Sequence, residues 1–448
     1  MQARSVTWRW TELRLLVPAS LLVVLGFVIS NAALAGTLDP GPLTLPVVYV
    51  ALVAAAHVAL MLAGHRGDQL LLPIVATLGG IGLVMLNRLP QDLAGTSAFG
   101  IQLGMASTQV VWIGVGLAVM VAAAIVLRDD RVLRHYKYSW AFVGILLLVA
   151  TFLFGYEVNG ARLWLDVGPL NVQPGEAIKV LLVVFIAGYL AEKRPLLAGA
   201  HYQIGPFALP PLPYLLPMVA MFVIVMLIVV ISRDLGTALL FLGIFLTMLF
   251  VATGRRSYVV LGIVLFIAGS YVAYRMFGHV QVRIDNWIDP FADPSGRGYQ
   301  PIQALYAFAR GGLFGEGLGR GLPLIGGQLP IPALHTDFIF AAIAEELGLV
   351  GAFAVLGFYL ALVFRGLRTA MLAHDDFDAL LATGLTASIG IQTLIIVSGN
   401  AKLAPLTGIT LPFVSYGGSS MIASFAVIGL LLAISHRGAV DAAPSGSR

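Results

Sequence analysis

Residues 212–254 read LPYLLPMVAMFVIVMLIVVISRDLGTALLFLGIFLTMLFVATG. Two apolar runs, 212–232 and 235–254, meet at a single polar step, Arg233-Asp234. Each run is close to the ~20 residues a helix needs to cross a ~30 Å hydrocarbon core. A surface helix of a water-soluble protein keeps a polar face along its length, and neither run has one. The pair therefore predicts two membrane-crossing helices joined by a tight turn.

Ten further stretches of the same kind flank this pair: 15–35, 43–64, 70–87, 109–127, 139–156, 177–191, 257–274, 338–364, 379–399 and 419–435. The composition agrees. Of 448 residues, 59% are hydrophobic and 11% charged, with a mean hydropathy of +0.93; soluble domains carry about 25% charged residues. A soluble enzyme, a disordered chain and a coiled coil are excluded. The fold class expected is an all-α polytopic membrane protein with about twelve transmembrane helices. The first stretch follows Arg4, Arg9 and Arg14 and is long for the apolar region of a signal peptide, so it reads as a retained anchor. The absence of Cys removes a disulfide framework, thiolate metal ligands and a Cys nucleophile. A net charge of +4 and a pI near 9.3 reflect loop asymmetry, and no nucleic-acid partner is expected.

With the N-terminus inside, each inner segment carries basic residues, among them Arg66, Arg128, Lys137, Lys193, Arg255, Arg365 and Arg437. The positive-inside rule then places both termini in the cytoplasm. Acidic residues lean the other way, including Glu157, Asp166, Asp285, Asp289, Asp293 and Glu316. The long outer segments, 157–176 and 275–337, are where function is expected, because long ordered loops tend to carry it. Within the second, GGLFGEGLGRG (311–321) lacks the Lys-Ser/Thr of a phosphate-binding loop and no strand precedes it. It reads as a flexible turn beside a short interfacial helix near 299–309. The tail after Arg437 reads as disordered.

Every even-numbered stretch begins at the outer face, with its N-terminal amides and positive dipole end there. Four begin with polar signatures. The sixth opens with Gln173-Pro174-Gly175-Glu176-Ala177-Ile178-Lys179, the eighth with Arg233-Asp234, the tenth with His335-Thr336-Asp337 and the twelfth with Ser415-Tyr416-Gly417-Gly418-Ser419-Ser420. If these ends converge they form an anion-binding basin, to which Arg162, Lys179, Arg233 and Lys402 add full charges. An anion at that depth is most naturally a lipid-linked phosphate or pyrophosphate. Plainer roles stand beside this. Asp234, Thr336, Asp337 and Ser419 could be simple helix caps, Glu176 and Lys179 a structural ion pair at i,i+3, and His57 a packing residue. One of Glu345 and Glu346, about two turns into the tenth stretch, is expected to face the bundle interior. No His/Asp/Glu spacing suggests zinc, and no Ser-His-Asp order suggests a hydrolase.

These motifs resemble those of the SEDS proteins (shape, elongation, division and sporulation), a family with RodA, FtsW and SpoVE types. The likeness rests on Arg162-Leu163-Trp164, QPGEAIK (173–179), DLGTALL (234–240), DPFADPSGRGYQPIQ (289–303), HTDFIFAAIAEELG (335–348) and PLTGITLPFVSYGGSS (405–420). It implies a ten-helix core over 70–437, an extension over 1–69 holding two further helices as in longer RodA-type members, and a tail over 438–448. It further implies a peptidoglycan glycosyltransferase of the bacterial cytoplasmic membrane that polymerises lipid II at the outer face for cell elongation or division. Its partners would be a class B penicillin-binding protein, a transpeptidase, and other membrane proteins of the elongation or division complex. By this likeness Asp337 is the catalytic Asp, and Glu176 and Lys179 are the charged pair of the central cavity. Arg162, Arg233, Asp234, Lys402 and Ser415 complete the expected substrate contacts. No cofactor is implied, although a divalent cation, Mg or Mn, could share the pyrophosphate charge. The chain departs from the family pattern at Gly175, Arg233, Ala333 and Ile396. A different class, a flippase for the same lipid-linked precursor, predicts internal repeats and midplane helix breaks; the motifs here gather at one face without a repeat.

Overall fold

The structure, a computed structural model, describes residues 7–37, 41–89, 97–98, 101–158, 161–168, 170–199, 202–204, 207–209, 212–321, 329 and 331–442. Its helices are α1 (Trp10–Ala35), α2 (Thr44–Leu62), α3 (Leu71–Asn87), α4 (Met105–Val126), α5 (Arg131–His135), α6 (Lys137–Phe154), α7 (Pro174–Gly199), α8 (Leu212–Ile231), α9 (Leu235–Thr253), α10 (Arg256–Met276), α11 (Gly278–Ile288), α12 (Tyr299–Gly311), α13 (Ile339–Met371), α14 (Asp376–Asn400) and α15 (Gly418–Asp441). Each of the twelve apolar stretches is a helix. Ten are long and apolar enough to cross a membrane; α3 and the apolar part of α8 are shorter. In a bilayer the helix is the economical answer for such segments, because every interior N–H and C=O is satisfied within the segment itself.

The connections amend the all-α expectation. Residues 97–98 pair with 101–102 and 202–204 with 207–209, and 156–158, 161–167 and 170–172 form a three-stranded antiparallel sheet. The period-two alternation of Ala161-Arg162-Leu163-Trp164-Leu165-Asp166-Val167 suits a half-exposed strand. Such short segments carry too little signal to stand out beside twelve long apolar runs.

Burial separates centre from rim. Within the apolar windows 72% of residues are buried in both α14 and α15, against 6% in α10. The central helices are α7, α9, α14 and α15, whereas α10 stands out toward lipid with only Tyr258 buried. Helix α12 has an apolar face, burying Ile302, Ala304 and Ala307 while Tyr306 points outward. The final helix runs on to Asp441, past the boundary expected at 437; residues 443–448 lie outside the described residues.

Helices α1 and α2 pack on α3 and α4 and are tied to the core at the end away from the long 278–337 segment. Arg9 donates to the carbonyls of His65 (2.9 Å), Gly67 (3.2 Å) and Asp68 (2.9 Å) and pairs with Glu12. Glu12 also meets His57 Nδ1 at 2.6 Å, which makes His57 a satisfied packing residue. Asp68 in turn pairs with Arg365 of α13. Both Arg9 and Glu12 are fully buried. Removing one partner of a buried pair strands the other at a cost of about 3–5 kcal/mol. Arg9→Met should therefore lower the melting temperature clearly, and Arg9→Met with Glu12→Gln should recover part of the loss, as read by thermal unfolding in detergent.

Candidate active site

Four helix starts, those of α7, α9, α13 and α15, come together at the end of the bundle that carries the 278–337 segment. The amide of Gln173 donates to Ser419 Oγ (3.0 Å), joining α7 to α15. The amide of Tyr416 donates to the His335 carbonyl (2.9 Å), joining the approach to α15 with the approach to α13. Direct hydrogen bonds thus join three of the four starts, and that of α9 adjoins them through Asp234, which feels the charges of Arg283 and Glu176.

Asp337 lies two residues before α13, partly buried. The cap position falls on Phe338, whose side chain makes no capping bond. That service comes from Asn400 at the end of α14: Asn400 Oδ1 accepts from the Ala341 amide (3.2 Å), and its Nδ2 donates to the Asp337 carbonyl (2.8 Å). Among the described residues the Asp337 carboxylate accepts from no helix amide, so it is not a cap. Burial pushes its carboxyl up to about 6, with a Thr336 hydrogen bond and the charge of Arg283 pulling down. Gly408 sits beside it, at positive φ; a Cβ there would stand 3.7 Å from Asp337 Oδ2.

Asp234 behaves differently. It is the N-cap of α9, accepting from the Thr237 amide at 3.0 Å. Burial pushes its carboxyl up against the pull of Thr237 and Arg283, and the charge of Glu176 adds to the push. Arg283 of α11 is within electrostatic reach of both Asp234 and Asp337, and its Nη1 donates to the Thr407 carbonyl (3.0 Å).

Lys179 is buried, and its Nζ donates to Glu176 Oε2 and Gln392 Oε1, both at 2.7 Å. The i,i+3 pair is real, and its ammonium is already compensated. Gln392 passes the network on to the Thr410 carbonyl (2.9 Å), and Thr410 Oγ1 meets Ser420 Oγ at 2.7 Å. Ser415, expected among the substrate contacts, is committed to the scaffold instead. It is buried, its Oγ accepts from the Leu411 amide (2.9 Å), and its proton goes to the Thr336 carbonyl. The remaining cations are more open. Arg162 is exposed on its strand, and Arg233 is exposed with Glu157 at 3.9 Å. The Lys402 ammonium has no partner among the described residues. Arg233 and Lys402 both hold left-handed backbone, φ +64 and +57. Such strain in a non-glycine residue persists only where the surroundings impose it, and it gathers at functional sites.

An apolar cavity of about 910 Å³ runs between α8, α9, α10, α11 and α14, lined by residues such as Phe245, Leu261, Leu265 and Trp287. Its polar end is Arg283 and Thr407. Glu345 and Glu346 are both buried in the bundle interior, where one of them is expected, and neither lines this cavity. Glu345 pairs with Arg310 of α12 (2.8 Å) and Glu346 with Arg88. Among the described residues no group of three or more His, Cys, Asp or Glu could hold a metal ion.

A family model described as "Cell cycle protein", covering FtsW, RodA and SpoVE, matches residues 68–439. The chain belongs to this family. Within the FtsW/RodA/SpoVE family it is 42% identical to the peptidoglycan glycosyltransferase RodA of Mycobacterium tuberculosis H37Rv over 391 residues, 87% of this chain and 82% of the relative. It is 32% identical to the probable peptidoglycan glycosyltransferase FtsW of Geobacter metallireducens over 375 residues, 83% of this chain and 96% of the relative. Among solved structures, a chain from a study of how a peptidoglycan synthase complex coordinates polymerisation and crosslinking superposes with a TM-score of 0.65, at 27% identity over 83% of this chain and 98% of that one. The rod-shape-determining protein RodA of Thermus thermophilus gives a TM-score of 0.55, at 27% identity over 83% and 97%. The family match begins just before α3, so α1 and α2 lie outside it.

Four residues of the site, Arg283, Gln392, Asn400 and Thr407, were not singled out by spacing or composition; each earns its place through a partner far away in sequence. The Glu176–Lys179 pair is testable directly. Breaking one partner of a buried pair typically costs about 3–5 kcal/mol. Lys179→Met and Glu176→Gln should each lower melting temperature and glycan synthesis, and the double variant should regain part of the stability. Additive losses would argue against the pairing.

Proposed function

We propose that the site transfers sugar between two lipid-linked molecules, with Asp337 as general base. The chain is a peptidoglycan glycosyltransferase, and the substrate that fits the site is lipid II, the undecaprenyl-pyrophosphate-linked disaccharide peptide. The acceptor's GlcNAc 4-hydroxyl attacks the anomeric carbon of the donor's MurNAc. The new C–O bond forms as the bond to pyrophosphate breaks, with inversion. The hydroxyl proton passes to Asp337, and the electron pair leaves on undecaprenyl pyrophosphate. Arg283, Arg233, Lys402 and Arg162, with the gathered helix N-termini, stabilise that leaving charge. A divalent cation there would rest on substrate phosphates and one or two carboxylates. The apolar cavity ending at Arg283 suits an isoprenoid chain, keeping the tail in lipid while the sugars stand in water.

The observation that carries this is that the Asp337 carboxylate caps no helix amide among the described residues. A helix-start Asp relieved of capping by Asn400, buried enough to titrate near 6 and flanked by Arg283, is arranged to accept a proton. The loop charges support an orientation with this end of the bundle outside the cell and both termini inside. Identity is higher with the RodA relatives than with the FtsW ones, which favours work in cell elongation. A class B penicillin-binding protein is the partner, a reading supported by the neighbour from a complex that couples polymerisation to crosslinking.

Purified full-length protein with labelled lipid II tests this. Asp337→Asn should lower glycan polymerisation by about 10²-fold or more, the usual worth of a positioned base. Leaflet exchange without glycan ladders in the wild type would instead mean a flippase. If the Asn variant polymerises at the wild-type rate, the base lies elsewhere.

The pH dependence has a defined sign. Asp337 must be ionised to act, so activity should fall as pH drops through about 6. Its folded value lies above the unfolded value of about 3.9, so the folded protein binds the proton more tightly between these two values. Stability from this group is then full below about 4 and is lost as pH rises through 6. Asp337→Asn should accordingly melt at or above the wild-type temperature at pH 7–8 while losing activity. A variant that melts well below wild type there would contradict this.

A further inference from the structure

Helix α13 is broken. Gly348 has φ +66 and ψ −171, a region of backbone space open in practice to glycine alone. The helix is therefore two rods, 339–347 and 349–371, and Asp337 stands at the head of the shorter one. At ~1.5 Å per residue the short rod is roughly 13 Å long. The longer rod cannot fix its place across such a joint; whatever grips its two ends must do so. The upper end is held by Asn400 and by the bonds from Ser415 and Tyr416.

The lower end is held by the glycine-rich segment, which is no flexible turn. Glu316 and Gly317 donate their amides to the carbonyls of Glu345 and Glu346, both at 3.0 Å. Leu349 and Val350 donate to Gly312 (3.0 Å) and Leu313 (3.1 Å). The segment thus satisfies the backbone groups that the break sets free, as any irregular backbone at membrane depth requires. The fit is close: a Cβ at Gly315 would lie 2.1 Å from the Glu346 carbonyl oxygen. The Glu346 carboxylate fastens the rest. Its two oxygens accept from the amides of Gly319 (3.0 Å) and Gly321 (3.1 Å), and Arg88, the residue that closes α3, pairs with it while donating to the Gly321 carbonyl (3.2 Å). One buried side chain joins the short rod, the glycine-rich segment and α3.

We propose that Glu346 is a positioning residue for Asp337: by clamping 319–321 and Arg88 it fixes the short rod of α13, and with it the place of the Asp337 carboxylate beside Arg283 and Gly408. This rests on the assignment of Asp337 as base. Glu346 touches no reacting atom and acts through the rod. Displacing a base by about 1 Å can cost about 10²-fold in rate. Displacement also changes how deeply the Asp337 carboxyl is buried and how strongly Thr336 and Arg283 act on its proton, so the acid limb of the pH–rate profile reports it.

The test uses the full chain with labelled lipid II and reads kcat, KM, the pH–rate profile and melting temperature. Glu346→Gln should lower kcat about 10-fold or more with KM little changed, and should move the acid-limb midpoint. Glu346→Asp should recover part of both. Glu346→Gln with Arg88→Met removes both charges and should restore melting temperature without restoring kcat; it also serves if the single variant does not fold. Recovery of kcat together with stability in the double variant would overturn the proposal, as would a wild-type kcat and pH profile in Glu346→Gln. Failure of the base assignment shows separately, as wild-type activity in Asp337→Asn.

Discussion

A charge in a low-dielectric interior must find a partner or be neutralised, and much of this bundle is arranged around that demand. Glu12 meets Arg9 and His57, Asp68 meets Arg365, Asp378 meets Arg437, Glu345 meets Arg310 and Glu346 meets Arg88. These pairs bind elements that lipid exposure alone would leave free to slide, since hydrocarbon gives apolar helices little reason to choose one neighbour over another. Against that background the end bearing Asp337 stands apart. There Arg283 serves two carboxylates, the Lys402 ammonium has no partner among the described residues, and Arg233 is exposed with Glu157 at 3.9 Å. Arg233 is far more open there than the cations of the buried pairs.

The same accounting applies to the backbone. A helix may break at membrane depth only if another segment takes up the groups it releases. The 312–317 segment does this for α13, so it belongs to the helical architecture itself and ties the end of α12 to the break in α13. Rigidity at the Asp337 end is therefore built from two sides, by Asn400 and Ser415 above and by the glycine-rich segment below.

Hydropathy makes the helices legible, because apolar run length is a property of consecutive residues. All twelve runs are helices, and the i,i+3 spacing of Glu176 and Lys179 is a pair in three dimensions. The convergence of four polar helix starts was legible for a similar reason: alternation across the bilayer puts even-numbered starts on one side. What failed depends on distant approach. Lys179 finds Gln392 across 213 positions, and Arg283 finds Thr407 across 124. Ser415 looked available because its local context is polar, yet the carbonyl that takes its proton belongs to Thr336. The glycine-rich stretch looked flexible because glycine permits freedom; here the same small size permits close docking, which removes it.

Asp234 and Asp337 show how finely the outcome turns on one remote residue. Both are Asp residues at the head of an apolar helix, and by local sequence each could cap it. Asp234 does, and its carboxylate is oriented by the amide of Thr237. At α13 the amide of Ala341 is taken by Asn400, 59 positions away. An Asn amide can satisfy a helix start as well as a carboxylate does, but it cannot take up a proton near neutral pH. Giving the cap to Asn400 leaves the Asp337 oxygens clear of the helix amides at a partly buried position, where desolvation raises their proton affinity to about 6. The division of labour is physical: the neutral amide does the structural work, and the ionisable group stays able to exchange a proton.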